Sequence, residues 1–433
     1  MPTGPMHPAF RARGVFKGAT SACLLASLMV AGSASAQAST SETAVTAQLP
    51  GYPTPGQPAS PSAEERPSTT VEKDESDIRV ATLHAGLRAE SSAELLDELQ
   101  GGMHPAARVL AETVQANAPD VLVLTGISYD ENEQIAETLN SQYLARGQNG
   151  QTGMQYSYTY TAPTNSGIDS GADLDGDGRV GGPSDAIGYG NHPGERGMAV
   201  FSAHPIVQDE VRTFQEFLWE DMPKNSIPEG QFSDLEKSVL RLPSTSMWDI
   251  PIEVPGEAGH VHVVATDLNS SLRSARPDEA RNQDQRRMVA DFVSGSAWYL
   301  YDDDGARGGL GAEESFVIAG SLADEQELMT SPADRVPELS TLLKSEVLQD
   351  PAPEAVTDEP LPERDEAADP KATQGLSNGE AVRSSYVLPA TALEVDGTGV
   401  FWPAEGEFGF DLVDPAESAS PSGRLVWLDI ATS

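Results

Sequence analysis

Apolar and polar positions alternate in Ile78-Arg79-Val80-Ala81-Thr82-Leu83, the pattern of a strand with one face on a core. Ser91-x-x-Glu94 is a capping box that opens a short helix, and Gly101-Gly102 stops it. Ala106, Val109, Leu110, Thr113 and Val114 recur at helical spacing and predict a second helix. Ala118-Pro119-Asp120 breaks it, and the unbroken apolar run Val121–Leu124 reads as a strand covered on both faces. Strand, helix and strand within ~45 residues make a βαβ unit, which sets Leu83 and Leu124 in one sheet with neighbouring carboxyl ends.

The alternation of strand and helix patterns continues. Met198–Phe201 and His260–Ala265 read as strands, and Met288, Val289, Phe292 and Val293 form a helix face. Phe316–Ala319 is a short apolar run halted by Gly320, so a buried strand ending in a tight turn is expected there. Val336, Leu339, Leu342, Leu343 and Val347 predict a further helix, and Tyr386–Pro389 and Leu425–Leu428 close the series as strands. Residues 350–375 are acidic and Pro-rich without apolar periodicity, which predicts a mobile surface insertion. The expectation is one mixed α/β domain over 78–433.

The first 36 residues have a different pattern. Arg11, Arg13 and Lys17 precede the small-to-apolar stretch Ala19–Gly32, and Ala34-Ser35-Ala36 is a cleavage signature. This predicts a signal peptide cut after Ala36 and a secreted or cell-wall location. No later stretch approaches the roughly 18 apolar residues of a membrane span. Residues 37–77, rich in Pro, Ser, Thr and Glu, read as a disordered spacer. Cys23 is the only cysteine and would leave with the leader, so disulfide and zinc–cysteine chemistry is excluded. Removing the leader's three cations shifts the formal charge from −40 to −43, which repels nucleic acid and anionic lipid. A monomer is expected, with an unnamed ligand or protein as partner.

The order of these segments resembles the endonuclease/exonuclease/phosphatase superfamily, the fold of deoxyribonuclease I. The likeness rests on Arg79–Ala85, Pro119–Leu124 with Ser128-Tyr129-Asp130, Gly197–Ser202 with His204-Pro205-Ile206, Trp248–Pro251, Val261–Ala265, Arg383-x-x-Tyr386–Pro389 and Arg424–Trp427. It implies a four-layered sandwich, two packed mixed sheets flanked by helices. It also implies phosphate-ester hydrolysis, with carboxylates and an Asn around a divalent metal and Asp–His pairs moving protons.

The residues at the matching positions do not suit that chemistry. His84 stands for the first Asn, Gly126 for the metal-binding Glu and Asp267 for a His. Gly320-Ser321-Leu322-Ala323 replaces Gly-Asp-x-Asn, Ser385 replaces an Asp, and Ser422 and Gly423 replace the final Asp-His. No histidine follows His262, so no realignment restores a C-terminal base. Aliphatic and hydroxyl groups cannot balance the charge of a phosphoryl transition state. The resemblance therefore implies a family fold without the family site and without a catalytic Mg or Mn. The alternative is an active phosphoesterase rebuilt around His84 and Asp267, with Asn269 nearby. Ser321, Ser385 and Ser422 lack a base partner and a nucleophile elbow, and His260 and His262 read as strand histidines rather than ligands.

One run still carries ion chemistry. Asp173-x-Asp175-x-Asp177-Gly178-Arg179 is the first half of an EF-hand-like loop, with side-chain oxygens at three alternate positions and a backbone carbonyl at Arg179. Asp185 stands near the place of the closing Glu. A structural calcium ion is expected; an acidic solvated turn is the plainer alternative. The function expected overall is an exported pseudo-phosphodiesterase acting as a binding or scaffolding module.

Overall fold

The structure, a computed structural model, describes residues 73–256, 260–268, 277–323, 337–356, 369–375, 381–413, 421 and 423–431. The leader and residues 37–72 of the spacer lie outside the described residues, as do Asn269, Val336 and Ser422.

The strands are β1 (Ile78–Leu87), β2 (Val121–Ile127), β3 (Tyr158–Tyr160), β4 (Gly197–Ser202), β5 (Arg212–Thr213), β6 (Met247–Glu253) and β7 (His260–Asp267). They continue as β8 (Ser315–Ser321), β9 (Gln374–Gly375), β10 (Ala381–Val382), β11 (Ser385–Pro389), β12 (Val395–Val400) and β13 (Val426–Ile430). One six-stranded sheet has the order β12-β13-β1-β2-β4-β3, and a five-stranded sheet the order β11-β8-β7-β6-β5. Both are mixed: β1–β2 and β7–β8 are parallel pairs among antiparallel neighbours.

The predicted βαβ unit is present. Helices α1 (Ser92–Leu99) and α2 (Pro105–Asn117) connect β1 to β2, and Leu83 pairs with Leu124 in the parallel register. The Ser91 hydroxyl caps α1 by accepting from Glu94 N at 3.1 Å. Alternate residues of β1 then divide between two cores. Ala81, Leu83 and Leu87 pack under Leu95, Leu99, Leu110 and Val114. Ile78 and Val80 face the other sheet and meet Ile250, Ile252, Val261 and Val263. The helix Pro277–Val293 adds Met288, Val289 and Phe292 to this second core. Two packed mixed sheets flanked by helices result, the architecture the resemblance implies.

Four expectations need correction. Gly320 does not end β8 in a turn; it lies inside the strand, opposite Thr266 and Tyr386. Its φ is +134°, and a Cβ there would lie 1.9 Å from the Thr266 carbonyl oxygen, so a close backbone approach, not a turn, demands glycine. The helix expected to reach Val347 stops at Leu342, because the Val347 carbonyl accepts from Thr391 N and Leu348 bridges Ala390, drawing the chain toward β11. The fold also begins before residue 78: Lys73 pairs with Asp120, and Asp77 is buried.

The fourth correction concerns the insertion 350–375, which is anchored at both ends. The Arg383 guanidinium donates to both Asp350 oxygens at 2.7 and 2.8 Å, and Ala355 N donates to Pro370 O. Ala372 and Thr373 are fully buried, and Gln374 joins a two-stranded ribbon with Val382. Residues 357–368 lie outside the described residues. Among the described residues no helix is long and apolar enough to cross a membrane.

Candidate functional site

His84 lies on the side of β1 that faces the second sheet, directly opposite Thr125 in the register. Its Nδ1 stands 3.1 Å from Thr125 Oγ1, its one hydrogen bond among the described residues. Beside it, Gly126 sits at φ +66° where the β2–β4 register shifts. A Cβ on Gly126 would lie 2.3 Å from His84 Cε1, and one on Gly423 would lie 2.8 Å from His84 Cβ. Real Cβ atoms do not approach so closely, so the ring fills the volume a side chain at 126 would need, and the Cβ and backbone of residue 84 fill the volume one at 423 would need. Three positions that read separately as substitutions form one packed unit.

The electrostatics around His84 suit a neutral ring. Burial, reinforced by the cations Arg88 and Arg196, pushes the imidazole down to about 4. Arg88 is itself held below its usual basicity, by burial first and then by Arg196, with Glu195 and Asp267 opposing. A base whose proton has left at pH 5 can accept a hydrogen bond but does not shuttle protons near neutrality.

The second sheet lines up the other positions. Asp267, at the end of β7, is in register with Ser321, and Ser321 with Ser385. All three are buried. Ser321 Oγ donates to Ala323 O at 3.2 Å, while the Ala323 methyl lies in the apolar core. His84 makes no hydrogen bond to Asp267, so the pair is not joined as a dyad. Burial and backbone pairing turn the serines inward.

Segment 369–375, the end of the insertion read only as acidic and Pro-rich, closes this edge. Thr373 Oγ1 accepts from Ser384 N and Ser385 N at 3.0 and 2.9 Å, Thr373 O accepts from Arg424 N at 2.7 Å, and Gln374 bridges Gly423. One threonine thus ties together the two segments where the resemblance places an Asp and an Asp-His. Arg88, Arg196 and Thr373 were missed in the sequence because each is an isolated residue whose role depends on distant partners.

The acidic loop lies between β3 and β4. Single carboxylate oxygens of Asp173, Asp175 and Asp177 come within 4.8 Å of one another. Gly176 and Gly178 take positive φ, and Asp173 Oδ2, Asp175 Oδ1 and Asp177 Oδ1 accept from Gly178 N, Asp177 N and Arg179 N at 2.8–3.0 Å. Asp173 Oδ1 is shielded and without a partner. This donor set of hard oxygens fits a calcium ion. Asp185 stands apart from it: its buried Oδ1 accepts from Leu174 N and Asp175 N at 2.7 and 3.3 Å, fixing the loop backbone.

The two strand histidines, His260 and His262, also have partners. His262 Nδ1 is 2.7 Å from Asp249 Oδ1, across the β6–β7 pair, and His260 faces Glu210 at 3.4 Å.

The family model described as "Endonuclease/Exonuclease/phosphatase family" matches residues 99–406. Among solved structures, the chain is similar to an endonuclease/exonuclease/phosphatase from Beutenbergia cavernae, at 20% identity over 82% of this chain and 71% of that one, TM-score 0.45. It is also similar to one from Bacteroides vulgatus, at 9% identity over 82% and 98%, TM-score 0.42. A third similarity is to sphingomyelinase C from Streptomyces griseocarneus, at 16% identity over 82% and 99%, TM-score 0.39. No curated protein matches.

Proposed function

The chain belongs to the endonuclease/exonuclease/phosphatase family, and from that premise we propose that it is an exported, non-catalytic member: a pseudo-phosphodiesterase that serves as a binding or scaffolding module. One observation carries this reading. The neutral His84 ring occupies the space over Gly126, and the Cβ and backbone of His84 close the space over Gly423, so a carboxylate ligand and a C-terminal base have no room at those positions. Thr373 adds to this by tying Ser385 to Arg424 from the inside. Export follows from the leader, and a calcium ion held by Asp173, Asp175, Asp177 and the Arg179 carbonyl would brace the loop before β4. A net charge of −40 argues against a nucleic-acid ligand.

The test is a hydrolysis assay on the purified full chain. Bis-p-nitrophenyl phosphate, a phosphomonoester and DNA are incubated with Mg²⁺ or Mn²⁺ beside a His84→Ala/Asp267→Ala variant. No turnover above the variant is expected. Turnover well above it overturns the reading and restores the rebuilt-site alternative.

A further inference from the structure

A cavity opens at the end of the sandwich away from His84. It has a volume of about 400 Å³ and lies where β1 and β2 begin, bounded by Glu75, Asp77, Ile78, Asp120, His204 and Pro255. His84 is six residues along β1 from Ile78, about 20 Å away at the rise of a strand. The volume falls in the range of small-molecule sites.

Its walls are acidic and incompletely satisfied. Asp77 is 5% exposed, and the charged groups that act on it, Asp396, Asp74 and Asp429, are all acidic. Burial first, then those three neighbours, raise its pKa above the usual carboxylate value, so its charge is costly as it stands. The one hydroxyl near it, Ser76 Oγ, is 3.5 Å from Oδ1. On the cavity's other wall His204 Nε2 is shielded from solvent and without a hydrogen-bond partner. Such groups are ordinarily matched. The chain supplies one example of the match: the Lys73 ammonium pairs with Asp120 in this same wall. Ile78 and Pro255 add apolar surface.

We propose that this cavity binds a small organic ammonium compound, with the cationic nitrogen against Asp77 and Glu75 and a hydrogen-bond donor directed at His204 Nε2. A bare metal ion fits poorly. Among the described residues only Asp173, Asp175 and Asp177 bring three ligand atoms within the span of one ion. The cavity's donors are spread around a space that an extended organic cation fills. This binding is independent of whether the far end hydrolyses anything.

The probe is 1,4-diaminobutane, titrated into the full chain by calorimetry while His204 is followed by imidazole NMR. Saturable binding with a shift of the His204 signals is expected. Asp77→Asn should weaken it at least about tenfold, the loss of a charge-assisted contact, and Glu75→Gln by less. Glu75 is exposed, so its variant keeps the test open if Asp77→Asn does not fold. Binding that survives both substitutions reflects the general negative surface and overturns the proposal. So does the absence of a saturable His204 shift, or a His204 shift produced equally by calcium chloride.

Discussion

His84 and His262 stand on strands of opposite sheets, both partly shielded from water, and their acidities have moved in opposite directions. Around His84 the charged neighbours are cations, Arg88 and Arg196, and burial adds to them; the ring drops to about 4. Burial depresses His262 as well, and it is the largest single influence there. Yet the hydrogen bond and charge of Asp249, with Glu314 beyond, outweigh it and raise the ring above its ordinary value. Depth therefore does not decide what a buried histidine does; the carboxylate bonded to it does. A hydrolytic centre of the family kind needs acid beside histidine. In this chain that arrangement occurs on the second sheet at His262, away from the position where the resemblance expects it.

The sharpest way to break the contrast is to put the acid back. Gly126→Glu restores a carboxylate beside the first strand, but its Cβ would start 2.3 Å from the His84 ring, at φ +66°. Overpacking, left-handed backbone and a buried charge together should cost roughly 4 kcal/mol or more. A fall in Tm of about 10 °C is expected by calorimetry. Adding His84→Ala should recover part of it, with a coupling of about 1–3 kcal/mol between the two sites. If the double variant is simply the sum of the two single ones, the ring and position 126 do not share one volume.

A smaller effect separates the two rings by pH. For His84 the folded value lies below the unfolded one, so between pH 6.5 and about 4 the unfolded chain binds the proton and the folded chain does not. Its contribution is complete above pH 6.5 and is lost as pH falls toward 4, roughly 3 kcal/mol in all. His262 runs the other way: its contribution is complete below pH 6.5 and is lost as pH rises through its raised folded value. Urea unfolding of the wild type and His84→Gln across this range should show the two stabilities converging toward pH 4. A constant difference would mean that His84 is not buried neutral.

Part of this was legible in the sequence. The β1–β2 register, down to Leu83 beside Leu124, follows from local periodicity and chain length, both of which are written in consecutive residues. The cap at Ser91 is likewise local. The substitution of His84, Gly126 and Gly423 could be read, but not that they form one packed unit, because β1, β2 and the chain before β13 are far apart in sequence. Gly320 looked like a turn since only its neighbour strand reveals the Thr266 carbonyl that excludes a side chain. Thr373 was hidden in an acidic segment whose composition says nothing about one buried hydroxyl. Asp185 resembled a ligand by spacing, whereas its oxygen is spent on backbone N–H groups that no pattern displays.

Asp249→Asn should turn His262 into a second His84. The amide keeps the shape and a hydrogen bond but removes the charge, leaving burial to dominate. The ring's NMR titration should then move below pH 6.5, and stability at pH 6 should fall by about 2 kcal/mol, since the remaining bond is between neutral groups. A His262 titration still raised in this variant would assign the shift to Glu314 instead.

Glu314→Gln supplies the complementary control and the smallest effect. The Glu314 carboxylate is half exposed and 3.5 Å from His262 Nε2, against 2.7 Å for the buried Asp249 oxygen at Nδ1. Solvent screens the first pair and not the second, so the two acids differ in strength although they flank the same ring. Glu314→Gln should lower stability by less than about 1 kcal/mol and move the His262 titration only slightly downward, with the effect vanishing in ~0.5 M salt. Asp249→Asn should keep its full effect at that salt. A Glu314→Gln shift as large and as salt-resistant as that of Asp249→Asn would place the stronger partner at the surface, and burial of the acid would cease to be what distinguishes His262 from His84.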